Sequence, residues 1–219
     1  MRAEPSTRGT GTRIVVLASG NGSNLQAILD AVTADELAVE VVAVVSDKAD
    51  AGALARASLA GVPAMHVPRH PDEARADYDA RLADLVSGFD PQWVVLAGWM
   101  RILSMSFLGW FPDMVVNLHP ARPGELAGTH AIERAFDEAR AGRRTSTGVM
   151  MHLVPDEGVD IGPVLSTVDV PIEPTDTLEV LTERVHQAEH ALVVSTLGRL
   201  CAGDVATPIS ASTSKGAPV

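Results

Sequence analysis

The chain has 219 residues, 46% of them apolar and few aromatic, with a formal charge of −11, a composition that suits one globular domain with a Val, Ala and Leu core. That acidic balance argues against a protein that tracks nucleic acid, because phosphate contacts need clustered Lys and Arg. The longest apolar runs fall short of the ~18 residues that a membrane span needs, so neither nucleic acid nor membrane is expected as a partner. With Cys201 as the single cysteine, an intramolecular disulfide framework and a Cys-based zinc site are excluded. The start MRAEPSTRGTGT lacks the apolar centre of a secretory signal, and a cytoplasmic protein is expected.

Residues 1–12 are polar and rich in Gly, Ser and Thr, which predicts a tail without fixed structure, then one domain over 13–202 and a second such tail over 203–219. RIVVLAS, from Arg13, reads as the first strand. It runs into SGNGSNLQAI, where Gly20 and Gly22 are not followed by the third glycine of a dinucleotide fingerprint. What remains is a Gly-rich turn opening the helix SNLQAILDAVTA. Free N–H groups and the positive end of the dipole there favour an anion, with Ser23 and Asn24 as added donors; a plain tight turn is the competing reading. VEVVAVVS, QWVVLAG and MVVNLH read as further buried strands, and AGALARASLAG and YDARLADLVSGF as helices between them. This alternation predicts an α/β fold with a doubly wound, mostly parallel sheet.

LAGWMRILS leaves the third of these strands and sets Trp99, Met100, Ile102 and Leu103 around Arg101. Such groups suit a flat heterocycle, and Arg101 a carboxylate or a stabilising ion pair, although a helix entering the core fits the pattern better. The fourth strand ends in VVNLHPARPG. Strand alternation points Asn117 and His119 the same way, and ligands of open α/β sheets bind beyond such strand ends. An amide and a protonated imidazole there can hold a developing oxyanion. After the helix AIERAFDEARAG, the segments TGVMMHLV and GPVLSTVDVPI read as an antiparallel C-terminal extension of the sheet. The loop of HLVPDEGVDIGPV offers three acids to raise the pKa of His119. Asp160, before Gly162 and Pro163, is the most constrained, but spacing alone does not select it over Asp156 or Glu157. The last helix follows Pro174, with Asp176 and Glu179 spaced as in a capping box, and carries a stripe of Leu178, Leu181, Val185, Ala188 and Leu192. His186, Glu189 and His190 share one face of it without a clear third-ligand signal for metal, and read as a surface cluster.

Taken in order, VVLASGNGSNLQAI, SDKADAGALARA, VVLAGWMRILS, NLHPARPG, GTHAIERA, HLVPDEGVDIGPV and RVHQAEHA resemble the glycinamide ribonucleotide formyltransferases of purine synthesis over about residues 13–200. The resemblance implies a Rossmann-like enzyme that moves the formyl group of 10-formyltetrahydrofolate, a cosubstrate, to the amine of glycinamide ribonucleotide, with no metal. Its small-molecule partners are that ribonucleotide and the reduced folate, and it leaves a homodimer open as the assembly. By the same resemblance, Asn117, His119 and Asp160 are the catalytic trio. Gly22, Ser23 and Asn24 hold the substrate phosphate, and Glu189 lies near the amine. Met100, Arg101, Ile102 and Leu103, joined by Asp156, Glu157, Gly158 and Val159, wall the folate pocket. The chain departs from many relatives at ARPGELAG, Ala121 to Gly128, and by an extra residue at Pro155, which predicts a different entry angle for the folate loop. Rival readings are a sugar N-formyltransferase, a formyltetrahydrofolate hydrolase, or a non-catalytic nucleotide- or folate-binding module on the same fold.

Overall fold

In the computed structural model, residues 11–204 are described. The four β-branched runs become parallel strands: β1 (Thr12–Leu17), β2 (Val39–Ser46), β4 (Trp93–Leu96) and β5 (Val115–His119). A short β3 (Ala64–His66) joins them, and β6 (Ser146–Leu153) and β7 (Val164–Pro171) complete a sheet of order β3-β2-β1-β4-β5-β6-β7. The pairs β5–β6 and β6–β7 are antiparallel, as the C-terminal extension predicts. Because helices cover both faces, β1 is apolar at successive positions instead of alternating. Ile14 and Val16 pack on one side with Leu25, Ile28, Val185 and Leu197. Val15 and Leu17 pack on the other with Tyr78, Leu82 and Phe107.

The first layer carries α1 (Ser23–Thr33), α2 (Gly52–Leu59), α5 (Ala131–Arg140) and α6 (Leu178–Ala202); the second carries α3 (Arg75–Ser87) and the four-residue α4 (Met105–Leu108). The direction of winding reverses between β1 and β4, where the two C-terminal ends diverge and leave a crevice. Among the described residues no helix is long and apolar enough to cross a membrane.

Four local expectations change. β3 has no sequence signal, because three residues, Ala-Met-His, carry no β-branched run. LAGWMRILS forms an irregular segment, not a helix; buried Asp79 of α3 accepts from the Ser104 N–H at 2.6 Å and fixes where the chain turns into α4. The cap of α6 is Thr177, whose hydroxyl accepts from the Val180 N–H at 3.3 Å, not Asp176. Asp176 is drawn instead to the Arg184 guanidinium, at 2.5 and 2.8 Å, and to the Glu173 N–H. Finally, Thr12, placed by the sequence reading in the N-terminal tail, belongs to β1; residues 1–10 and 205–219 of the two expected tails lie outside the described residues.

Candidate active site

A cleft of about 730 Å³ opens beyond the C-terminal ends of β1, β4 and β5. Its floor is a polar cluster. Asn117 and His119 leave β5 on one face, and the antiparallel register sets His152 of β6 opposite Asn117. Asp160 reaches in from the loop between β6 and β7. Its Oδ1 accepts from the Asn117 amide at 3.0 Å and lies 3.4 Å from His152 Nε2; its Oδ2 accepts from the Gly128 N–H at 2.8 Å and lies 3.4 Å from His119 Nδ1. The trio predicted from sequence is thus brought together around one carboxylate. To hold it there the backbone of Asp160 adopts φ 55°, a left-handed conformation that costs a non-glycine residue about 1 kcal/mol or more.

Two further groups enter that sequence reasoning missed. His152 Nδ1 lies 2.8 Å from the Leu153 carbonyl, so its Nε2 is the acceptor for the Asn117 amide at 3.1 Å. The segment Leu126 to Gly128 folds over the cluster, with the Leu126 carbonyl 3.2 Å from His119 Nε2. His152 has a signal in hindsight, since it is the cross-strand neighbour of Asn117; the contacts of Leu126 and Gly128 are made by backbone and have none. ARPGELAG itself is held by arginines: Arg134 donates to the Leu126 and Ala127 carbonyls, Arg144 pairs with Glu125, and Arg122 reaches Asp169 and Ser146.

Electrostatics in the cluster are opposed. Burial pushes the His119 imidazole below its usual value, and the nearby Asp160 charge only partly restores it. Both ring nitrogens of His119 face acceptors, the Leu126 carbonyl and the Asp160 carboxylate, so hydrogen bonding favours the cation while desolvation opposes it. Burial also raises Asp160, yet the Gly128 N–H and the His119 ring outweigh it and hold the carboxyl below the usual range.

At one end of the cleft the turn Gly20–Asn24 opens α1. Gly22 has φ +80°, and a Cβ there would lie 2.7 Å from the Ala53 backbone, so both conformation and packing require glycine. Arg56 braces the turn through the Asn21 carbonyl and side chain, both at 2.9 Å. Ser23 lines the cleft, and Asn24 is buried with its Oδ1 unpartnered. Glu189 faces them from α6, 6% exposed; burial pushes its carboxyl up to about 7, with the Asn24 amide pulling the other way. His186 lies 4.0 Å from Glu189, and His190 Nε2 is buried without a partner. Among the described residues no group of three His, Cys, Asp or Glu is placed to hold a metal.

At the other end Met100, Ile102 and Leu103 form a largely apolar wall, with Met100 and Ile102 exposed to the cleft and its mouth. The Met100 N–H donates to Ser19 Oγ at 3.0 Å. Arg101 lines the same wall, and of its two expected roles it takes the ion pair. Its Nη1 is 3.4 Å from buried Asp47, and its guanidinium lies 5.1 Å over the Tyr78 ring. Asp156, Gly158 and Val159 line the facing loop, whereas Glu157 does not; its carboxylate is turned outward to Arg75 and the Met105 N–H.

Residues 12–197 match the family described as Formyl transferase. The phosphoribosylglycinamide formyltransferase of Dictyostelium discoideum is 42% identical over 84% of this chain and 95% of its own length. The protein of the same name from Escherichia coli (strain K12) is 39% identical over 82% of each. A solved glycinamide ribonucleotide transformylase from Symbiobacterium toebii superposes with a TM-score of 0.83 at 34% identity, covering 91% of this chain and 92% of that one.

Proposed function

The chain belongs to the formyl transferase family, among the phosphoribosylglycinamide formyltransferases, and from that premise we propose how its own residues perform the transfer. The glycinamide ribonucleotide lies along the cleft with its phosphate on the N–H groups of the Gly22–Asn24 turn and its amine directed by Glu189. The formyl-bearing end of 10-formyltetrahydrofolate enters between the Met100–Leu103 wall and the Asp156–Val159 loop. The observation that carries this reading is the Asp160 carboxylate, met at once by Asn117, His119, His152 and Gly128 midway between the two ends.

The neutral amine attacks the formyl carbon, and the carbonyl π electrons move to oxygen. The resulting oxyanion is a stronger acceptor than an amide carbonyl, so it displaces the Leu126 carbonyl from His119 Nε2 and draws one Asn117 N–H away from Asp160. Negative charge at that point favours the His119 cation that burial opposes in the free protein. Asp160, ionised and fixed by Gly128, takes the proton from the attacking nitrogen, directly or through one water. The collapse of the intermediate then returns a proton to the departing folate nitrogen. His152 holds the Asn117 amide in register by accepting one of its protons. The chemistry needs no metal ion. All of these residues come from one chain, so the reading requires no second copy, and light scattering tests the homodimer.

Deformylation of 10-formyltetrahydrofolate followed by absorbance, with and without glycinamide ribonucleotide, tests the function. Turnover that depends on the ribonucleotide and is lost in Asp160→Asn is expected. Turnover without it would identify a hydrolase, and none in either case would overturn the reading.

A further inference from the structure

The loop that carries Asp160 is anchored at its base, where the Leu153 N–H donates to the Pro163 carbonyl and the Val154 N–H to the Val115 carbonyl, both at 2.9 Å. Its outer half has less support. Asp156 Oδ1 accepts from the Gly158 N–H within the loop, and among the described residues the hydrogen bonds from this half to the α3–α4 side are all made by Glu157. One carboxylate oxygen pairs with Arg75, the first residue of α3, and the other accepts from the N–H of Met105, the first residue of α4, at 3.1 Å. Buried Asp79 of α3 also holds the Ser104 N–H, so the two helix starts form one rigid support. Glu157 is thus the one residue of its run that turns away from the cleft, while Asp156, Gly158, Val159 and Asp160 line it.

The geometry points to Glu157 and Arg75 as a latch that sets the angle of the 154–163 loop, and through it both the facing wall of the folate end and the position of Asp160. Glu157 is a positioning residue, and the inference rests on the reading of the site given above. Arg75 and Glu157 keep 46% and 41% of their side-chain surface in solvent. A pair so exposed contributes little to global stability and is screened by salt. Its effect falls on the local equilibrium of a loop with few other contacts, where a small free energy decides how often the wall is in place. An exposed latch also lets the wall swing aside for a bulky cosubstrate and close behind it.

Four variants test this: Arg75→Ala, Glu157→Ala, their combination, and Glu157→Gln, which keeps an acceptor for Met105 but loses the ion pair. Arg75→Ala, which loses only the ion pair, is expected to raise KM for 10-formyltetrahydrofolate up to about fivefold, and Glu157→Ala, which also loses the Met105 hydrogen bond, about tenfold. The double variant should be no worse than Glu157→Ala, because two halves of one latch are not additive. KM for glycinamide ribonucleotide and the melting temperature stay unchanged, kcat falls modestly, and Glu157→Gln lies between wild type and Glu157→Ala. Hydrogen exchange without substrate gives an independent reading: amides across 154–163 exchange faster in each variant while those of α6 do not. Additive effects, an equal rise in both KM values, or unchanged exchange in the loop would overturn the latch. A wild-type protein that fails to use glycinamide ribonucleotide would overturn the functional reading instead, and the exchange experiment would still decide the latch.

Discussion

Gly162→Ala tests whether catalysis depends on where the 154–163 loop places Asp160. A Cβ built at Gly162 falls 1.8 Å from the Leu153 carbonyl oxygen, 2.9 Å from its carbon and 3.1 Å from Pro155 Cδ. The obstacle is backbone at the base of the loop, so no rotamer change relieves it. Opening the closest contact from 1.8 Å to even a tight 3.0 Å moves the segment by about 1.2 Å. Asp160 lies two residues away, and its bonds to Gly128 and Asn117 are 2.8 and 3.0 Å long. A shift of that size takes both out of hydrogen-bonding range. A displacement of ~1 Å at a reacting group lowers the rate by about 10²-fold, or ~2.7 kcal/mol of barrier. Steady-state kinetics should therefore show kcat down about a hundredfold, with a loss of stability of about 1–3 kcal/mol from the overpacked turn. Wild-type kcat in a folded Gly162→Ala protein would refute the claim that the loop geometry sets the reactivity of Asp160.

Three further substitutions separate chemistry from scaffold. Asp160→Asn removes the base and puts an amide against the Gly128 N–H and the Asn117 amide; kcat is expected to fall by ~10²–10⁴ in the deformylation assay, with KM for the ribonucleotide little changed. Glu189 keeps its proton in the folded state to about pH 7, whereas the unfolded chain gives it up near 4.5. Stability therefore drops as pH rises through that window, and Glu189→Gln should gain on wild type by up to about 3 kcal/mol at pH 8.5 and almost nothing at pH 4.5, read by urea unfolding, while activity falls. Gly198 lies in α6, and an added Cβ meets only Leu37 Cδ1 at 3.8 Å. Gly198→Ala should stabilise by about 0.5–1 kcal/mol with unchanged kinetics, measured as a rise in melting temperature.

What could be read from the sequence follows from the range of the interactions involved. The parallel core is legible because β1, β2, β4 and β5 are buried on both faces and each writes that burial as a continuous apolar run. Asn117 and His119 are legible because strand alternation and a strand end are local properties. Asp160 is reachable only through the resemblance: its selection over Asp156 depends on a left-handed φ and on the Gly128 N–H, 32 residues away in the chain. β3 is invisible because neighbours, not its own residues, make it a strand. The Asp176 expectation fails for the same reason, since Arg184 lies eight residues on and competes for the carboxylate that would otherwise cap α6. The loss of helix in LAGWMRILS also comes from outside the segment, through Asp79.

The charge states of the free protein show why the site is built from such unfavourable parts. Among the described residues the single guanidinium lining the cleft is Arg101, and it is committed to Asp47. His119 is pushed toward neutrality, and Glu189 toward its protonated form, by the same burial. Asp160 is held toward its charged form, because backbone and ring contacts offset its desolvation. Negative charge developing on the formyl oxygen beside His119 favours its cation, so the interaction strengthens along the reaction. Its donors are already positioned by β5 and by Asp160, and little reorganisation remains to be done at that moment.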